Sequence, residues 1–266
     1  MFYYSSKLKY INLWKFGISS IKDMSYVFSF SSIDYLDTST INTTGVEDMT
    51  EMFFGIKVIS LDLGNFDTSK VTSMKDMFSF CRQLTSLNLS SFNTNNVLTM
   101  ENMFSYCYSL TSLDLSFFDT SKVTNMKEMF HGCNKLIYLN ISNFNTNKVN
   151  TLYFMFANVK IESLDLSNFD TSHVTQMVSL FFDCTNLKYL NISNFNTKKV
   201  QSMTYMFQNC RNLTSLNLYN FDTSSVTEMR EMFEGCSSLE YLNISNFDTK
   251  LVVDMDFIFS DCSALK

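Results

Sequence analysis

A chain of 266 residues that is 45% hydrophobic, 15% aromatic and only 17% charged has ample material for a continuous packed interior, which excludes a disordered polymer. Its formal charge of −6, with no Lys/Arg stripe to interrupt it, repels phosphate backbones, so nucleic acid is not an expected partner. No window approaches the roughly 18 consecutive apolar residues of a membrane span, and the absence of proline together with only six glycines leaves no linker or domain boundary.

The stretch from Met1 to Tyr10 lacks the apolar run of a secretory signal, and Phe2, Tyr3 and Tyr4 are placed to serve as an aromatic cap ahead of the first strand. The chain then repeats itself. Phe16-Gly17-Ile18 and Ile41-Asn42-Thr43 are degenerate forms of a tripeptide, Phe-Asp/Asn-Thr, that begins again at Phe66, Phe92, Phe118, Phe144, Phe169, Phe195, Phe221 and Phe247. The spacing is 25 or 26 residues throughout, which makes ten copies and predicts a solenoid.

One unit, Leu110 to Asn134, divides into two halves. Leu113-Asp114-Leu115 alternates apolar and polar residues at period two and is expected to form a short strand with one face buried. Val123, Met126, Met129, Phe130 and Cys133 recur at steps of three and four, which predicts one stripe of a short helix, with Thr124 as its N-cap. No single unit can bury its Leu, Phe, Val and Met side chains alone, whereas stacked copies share one core and pair their strands into a parallel sheet. Ten strands about 4.8 Å apart give a curved rod with a sheet side roughly 50 Å long. At the far end Leu265 begins another strand, so residues 1–266 are expected to be one solenoid domain within a longer repeat array.

The pattern LxxLxLSxFDTSxVTxMxxMFxxC resembles the BspA-type leucine-rich repeats of bacterial surface lipoproteins, a group that includes mycoplasma proteins. The likeness runs from about Leu8 to Leu265 and is sharpest in FDTSKVTSMKDMF, Phe66 to Phe78, and FDTSKVTNMKEMF, Phe118 to Phe130. Departures fall at the start, where Val27-Phe28 replaces the Met-Phe doublet and the Phe16 and Ile41 variants replace FDT. The resemblance implies an α/β leucine-rich-repeat solenoid, with a parallel β-sheet on one face and short helices on the other. It also implies a cell-surface or extracellular protein with an adhesion or interaction role.

Cys81, Cys107, Cys133, Cys184, Cys210, Cys236 and Cys262 share one place in the unit, which Ile56 and Val159 fill elsewhere. Replacement by Ile and Val marks an apolar environment in which a thiol behaves as a small hydrophobe. An odd number of inward-pointing cysteines and the lack of any CxxC argue against disulfides and zinc. The rows of methionine, such as Met74, Met100, Met126 and Met229, are read as core filler. His131 and His173 occupy different parts of the unit and neither recurs, and His131 is expected at an exposed helix end. No nucleophile and base converge, and no GxSxG or phosphate loop is present, so the chain is expected to be neither an enzyme nor a cofactor carrier.

The middle residue of each strand is Asp or Asn: Asn12, Asp37, Asp62, Asn88, Asp114, Asn140, Asp165, Asn191, Asn217 and Asn243. Neighbouring carboxylates repel, and an intervening Asn relieves the row, as it also does from Asp67 and Asn93 to Asn196 and Asp222. Calcium is the alternative use of such rows, but the glycine-rich nonapeptide of calcium-binding β-rolls is missing. Two residues earlier stand Ser112, Tyr138, Ser163, Tyr189, Ser215 and Tyr241, so the C-terminal half repeats as a two-coil block. Tyr138, Tyr189 and Tyr241 then align about 10 Å apart on the exposed sheet. With Asn140, Asn191 and Asn243 they form the candidate binding row for a protein or glycan. Two other readings stand beside it: tyrosine simply favours strands, or the rod is a spacer that packs end to end or laterally with other chains. Asn-x-Ser/Thr sequences at Asn140, Asn191, Asn212 and Asn243 arise from the repeat itself and carry little weight.

Overall fold

A computed structural model describes residues 2–11 and 21–266; the expectations placed on Asn12, Phe16, Gly17 and Ile18 lie outside these residues. Ten short strands follow one another at the repeat spacing: β1 (Tyr10–Ile11), β2 (Tyr35–Leu36), β3 (Ser60–Asp62), β4 (Ser86–Asn88), β5 (Ser112–Asp114), β6 (Tyr138–Asn140), β7 (Ser163–Asp165), β8 (Tyr189–Asn191), β9 (Ser215–Asn217) and β10 (Tyr241–Asn243). We number each coil by its strand. Within each three-residue strand the first residue is exposed, the central Leu is buried or half-buried and the last is exposed or, at Asn140 and Asn243, half-buried, as period-two alternation leads one to expect.

The core is a set of ladders. Phe2, Phe28, Phe53, Phe78, Phe104, Phe130, Phe156, Phe181, Phe207, Phe233 and Phe259 stack in one column, near-parallel, with neighbouring centroids between 5.5 Å and 6.0 Å apart. From Phe28 to Phe233 each ring is sandwiched by the rings of the coils before and after. This is the offset stacking that aromatic quadrupoles favour, and each buried Phe contributes about 1.5–3 kcal/mol by burial alone. Met, Val and Leu columns fill the space around it. Residues 2–4 continue the stack at its start. Phe2 and Tyr4 donate their N–H groups to Val27 and Ser29, and Phe2 and Tyr4 stack on Phe28 and Phe30.

The half of the unit expected to be helical is not a helix; among the described residues the chain contains none. Val123, Met126, Met129, Phe130 and Cys133 are all buried, as their spacing implied, but the backbone that presents them is a run of tight turns. In coil 5 Met129, His131 and Cys133 donate to the carbonyls three residues back, while Glu128, Phe130 and Gly132 donate to Tyr153, Met155 and Ala157 of coil 6. Thr124 is not an N-cap; its N–H and hydroxyl bond the Leu98 carbonyl of coil 4 at 2.9 Å and 3.3 Å. The physical reason is spacing. An α-helix is about 10 Å across and satisfies its own amides, whereas rings stacked every 5.5–6.0 Å leave one coil little more than half that width. Chained four-residue turns bury side chains at the same steps of three and four and free alternate N–H groups for the neighbouring coil.

These turns need positive φ at two places per coil, four residues apart. Glycine fills one of them in Gly55, Gly132 and Gly235, but side chains such as Asp76 (φ 54), Glu128 (φ 54) and Tyr205 (φ 60) stand at the others. Each such non-glycine residue costs about 1–2 kcal/mol, which the inter-coil bonds and stacking offset.

The two faces of the rod are built differently. Along the turn face a bridge ladder passes unbroken from Asp23 through Asp48, Ser73, Thr99, Asn125, Thr151, Gln176, Ser202 and Glu228 to Asp254. The strand face, expected to be one sheet, is five two-stranded parallel sheets: β1–β2, β3–β4, β5–β6, β7–β8 and β9–β10. At the seams between pairs, side chains replace the backbone ladder. Asn168 donates its amide to the carbonyls of Ile141, Ser142 and Phe144, and Asn220 to those of Ser193 and Phe195.

Candidate binding face

The register of each pair sets the site. Ser112 pairs with Tyr138, Ser163 with Tyr189, and Ser215 with Tyr241, so from β5 onward every pair carries one small and one aromatic residue side by side. The three tyrosines stand 53%, 71% and 55% exposed on the same face, separated by serine strands. The serine leaves room for the ring beside it, and the two-coil rhythm seen in the sequence coincides with the two-coil rhythm of backbone pairing.

Asn140, Asn191 and Asn243 lie next to these rings but point partly into the structure. Asn191 is exposed, whereas Asn140 and Asn243 are half-buried. Their Oδ1 atoms accept the N–H groups of Ser142, Ser193 and Ser245 at 3.3 Å, 3.2 Å and 3.2 Å, closing Asx turns at the strand ends. The Asp members do the same: the Ser116 N–H and hydroxyl, with a smaller contribution from Asn140, hold Asp114 below the usual carboxylate range. Ser167, then Asn191, do so for Asp165. The expected relief of charge by intervening Asn is thus visible, most directly where the Asn88 amide donates to Asp62 at 2.7 Å. Gly64 leaves room beside that bond, since a Cβ there would lie 2.9 Å from the Asn88 amide nitrogen.

Clefts open at two of the seams. Two adjoining slots lie over β7 to β9, one of about 270 Å³ across the β7–β8 pair, walled by Tyr189, and one of about 410 Å³ between β8 and β9, walled by Tyr219, with Asn191 and Ser215 shared between them. A third, of about 680 Å³, opens between β2 and β3 around Tyr35, Asp37 and Asp62. The exposed Lys188–Glu162 pair, 3.0 Å apart, flanks Tyr189 without crossing it.

Other singled-out residues are structural. Cys81, Cys107, Cys133, Cys184, Cys210 and Cys236 are buried, and Cys262 is half-buried. Each thiol donates to the carbonyl of the Phe in the coil behind, for example Cys133 to Phe104 at 3.1 Å, a role beyond the small hydrophobe that the sequence suggested. Burial pushes the Cys133, Cys184 and Cys236 thiols up to about 12. His131 is not at an exposed helix end: its side chain is 12% exposed, wedged between the Tyr106 and Phe154 rings and 3.2 Å from Glu128. His173 is exposed on a turn near Ser172. Among the described residues no three His, Cys, Asp or Glu side chains are placed to hold a metal ion, and no helix is long and apolar enough to cross a membrane.

The ladder that sequence reasoning missed belongs to the threonine of the Phe-Asp/Asn-Thr tripeptide. Thr120 donates to the Asn145 carbonyl at 2.9 Å and accepts the Asn145 N–H at 2.7 Å. Thr43, Thr68, Thr171 and Thr223 make the same double bond to the next coil. The signal was present as the one hydroxyl shared by every FDT and FNT copy.

The family model described as "Mycoplasma protein of unknown function, DUF285" matches residues 22–136, 111–215 and 175–266, which together run without a gap from 22 to 266. The chain belongs to the DUF285 family. The mycoplasma-type repeat that its FDTSKVT segments resemble is therefore the repeat it carries. No curated protein matches it. Among solved structures, a leucine-rich repeat protein from Bacteroides ovatus is similar at 15% identity, over 93% of this chain and 76% of that one, with a TM-score of 0.41. A leucine rich cell surface protein from Faecalibacterium prausnitzii is similar at 18% identity, over 93% and 72%, with a TM-score of 0.43. Neither superposes as a whole, and the fold of this DUF285 chain rests on its own coil geometry.

Proposed function

We propose that this DUF285 chain is a non-catalytic interaction module, displayed at the cell surface or outside the cell, that binds a protein or glycan lengthwise along its strand face. Tyr138, Tyr189 and Tyr241 form the contact row, with Asn140, Asn191 and Asn243 setting the strand ends beside them. The observation that carries this reading is the exposure of three large aromatic side chains, at 53%, 71% and 55%, in one line on a rigid face. Aromatic rings with two rotatable bonds give much contact area for little ordering entropy, which is what a binding surface needs. Nothing in the core requires them outside, since the packing columns are complete without them.

The test is a binding screen of the whole chain and a Tyr138→Ser/Tyr189→Ser/Tyr241→Ser variant against an array of glycans and soluble proteins. The expected result is at least one partner bound by the wild type and lost, by about 100-fold or more, in the variant. The melting temperature should move by only about 2 °C, as for exposed substitutions generally. Unchanged binding in the variant overturns the reading.

A further inference from the structure

The ligand class follows from which way the strands run. Each strand crosses the rod, and successive strands are stacked along it in parallel register. A peptide lying lengthwise on this face therefore runs across the strands, not beside one, and cannot join them through the main-chain ladder that gives extended peptides their affinity. What the face offers instead is ring surface alternating with side-chain amides and hydroxyls. In the stretch from β6 to β10 the rings recur at every second coil.

We propose that this face binds a linear, uncharged, β-1,4-linked glycan laid along the rod, with every second sugar stacked on one of Tyr138, Tyr189 and Tyr241. This rests on the strand-face reading above and names its ligand. A β-1,4-linked chain is a flat ribbon in which each sugar is turned over relative to the last, so the same ring face recurs at every second residue. That recurrence matches tyrosines present on every second strand. Sugar hydroxyls both donate and accept, which suits the slot over the β7–β8 pair, where Asn191 and Ser215 lie beside the Tyr189 ring. An anionic sugar is disfavoured there, because the Asp165 carboxylate lines that slot and the Lys188 ammonium beside it is already paired with Glu162.

The experiment titrates the whole chain calorimetrically with β-1,4-linked oligosaccharides of one to six sugars. Affinity should rise about tenfold at the third and again at the fifth sugar, where a further tyrosine is engaged, and stay nearly flat between. Tyr189→Ser should remove one step and leave the chain's melting temperature unchanged. Affinity that climbs evenly with each added sugar, or an equal response to α-1,4-linked chains, overturns the proposal. So does failure of all six sugars to bind while a protein ligand is still lost on replacing the three tyrosines; in that case the strand-face reading stands and only the glycan falls. If the triple variant keeps every ligand of the wild type, both fall together.

Discussion

The Thr120 hydroxyl sits in a buried wall between coils, where it accepts the Asn145 N–H at 2.7 Å and donates to the same residue's carbonyl at 2.9 Å. Replacement by Val keeps the shape and strands both backbone groups away from water. Thr120→Val is therefore expected to lower stability by about 1–3 kcal/mol, the cost of leaving buried polar groups unpaired, read as a shift in the urea unfolding midpoint. A shift no larger than that of an exposed Ser112→Ala change would show that the ladder carries no weight. At this scale the sequence was informative about burial and poor about bonding. The repeated replacement of Cys by Ile and Val placed the thiols in the core correctly, yet an apolar position and a weak donor aimed at a carbonyl leave the same trace. His131 was misplaced because its neighbours in other units, Ser79 and Ser105, are small; the Tyr106 and Phe154 rings that enclose it come from coils on either side.

Among the elements, the strands were legible and the turns were not. Alternation over three residues located the strand at Leu113–Leu115, one residue later than the Ser112–Asp114 that the structure forms, with the buried face assigned correctly. A stripe at steps of three and four, however, arises equally from a helix and from chained turns, and what separates them is the width available between stacked coils. That width is fixed by Phe130 and its column, a relation between units that no single unit displays. The cysteine ladder is the element with a pH signature. A thiol whose pKa is raised by burial holds its proton more tightly in the folded state, so its contribution is whole below the free thiol's value of about 8.5 and is lost as pH climbs toward about 12. The melting temperature should accordingly fall across this alkaline window. A Cys133→Val/Cys184→Val/Cys236→Val variant should fall less steeply; parallel curves for the two would show that the buried thiols are not what titrates.

For the whole molecule, the sequence revealed the period and, through alternating Ser and Tyr from β5 onward, its doubling, but not that the backbone pairs its strands in twos from β1 to β10. Leu63, Leu115, Leu166 and Leu218 donate their N–H groups across a pair to Asn88, Asn140, Asn191 and Asn243. Among the described residues no such backbone bond leaves Leu89, Ile141 or Ile192, which face seams. Hydrogen exchange followed residue by residue should therefore show a sawtooth along the strand face. Leu63, Leu115, Leu166 and Leu218 should be protected about tenfold or more over Leu89, Ile141 and Ile192, and turn-face amides such as Phe78 and Phe104 protected evenly. Uniform protection on both faces would contradict the paired arrangement.

The bonds between coils on the turn face also share a heading. Glu51, Phe53 and Gly55 donate onward to Lys75, Met77 and Ser79, and Glu231, Phe233 and Gly235 to Asp256, Ile258 and Ser260, with the same sense in the coils between. One rung per coil, such as Thr72 to Glu47, points the other way. Peptide dipoles of about 3.5 D each therefore add along the rod as they do along an α-helix, through several columns at once. Every stacked coil lengthens those columns without reversing them, which gives the molecule an electrical as well as a chemical direction and a torque in any local field, such as that above a charged membrane.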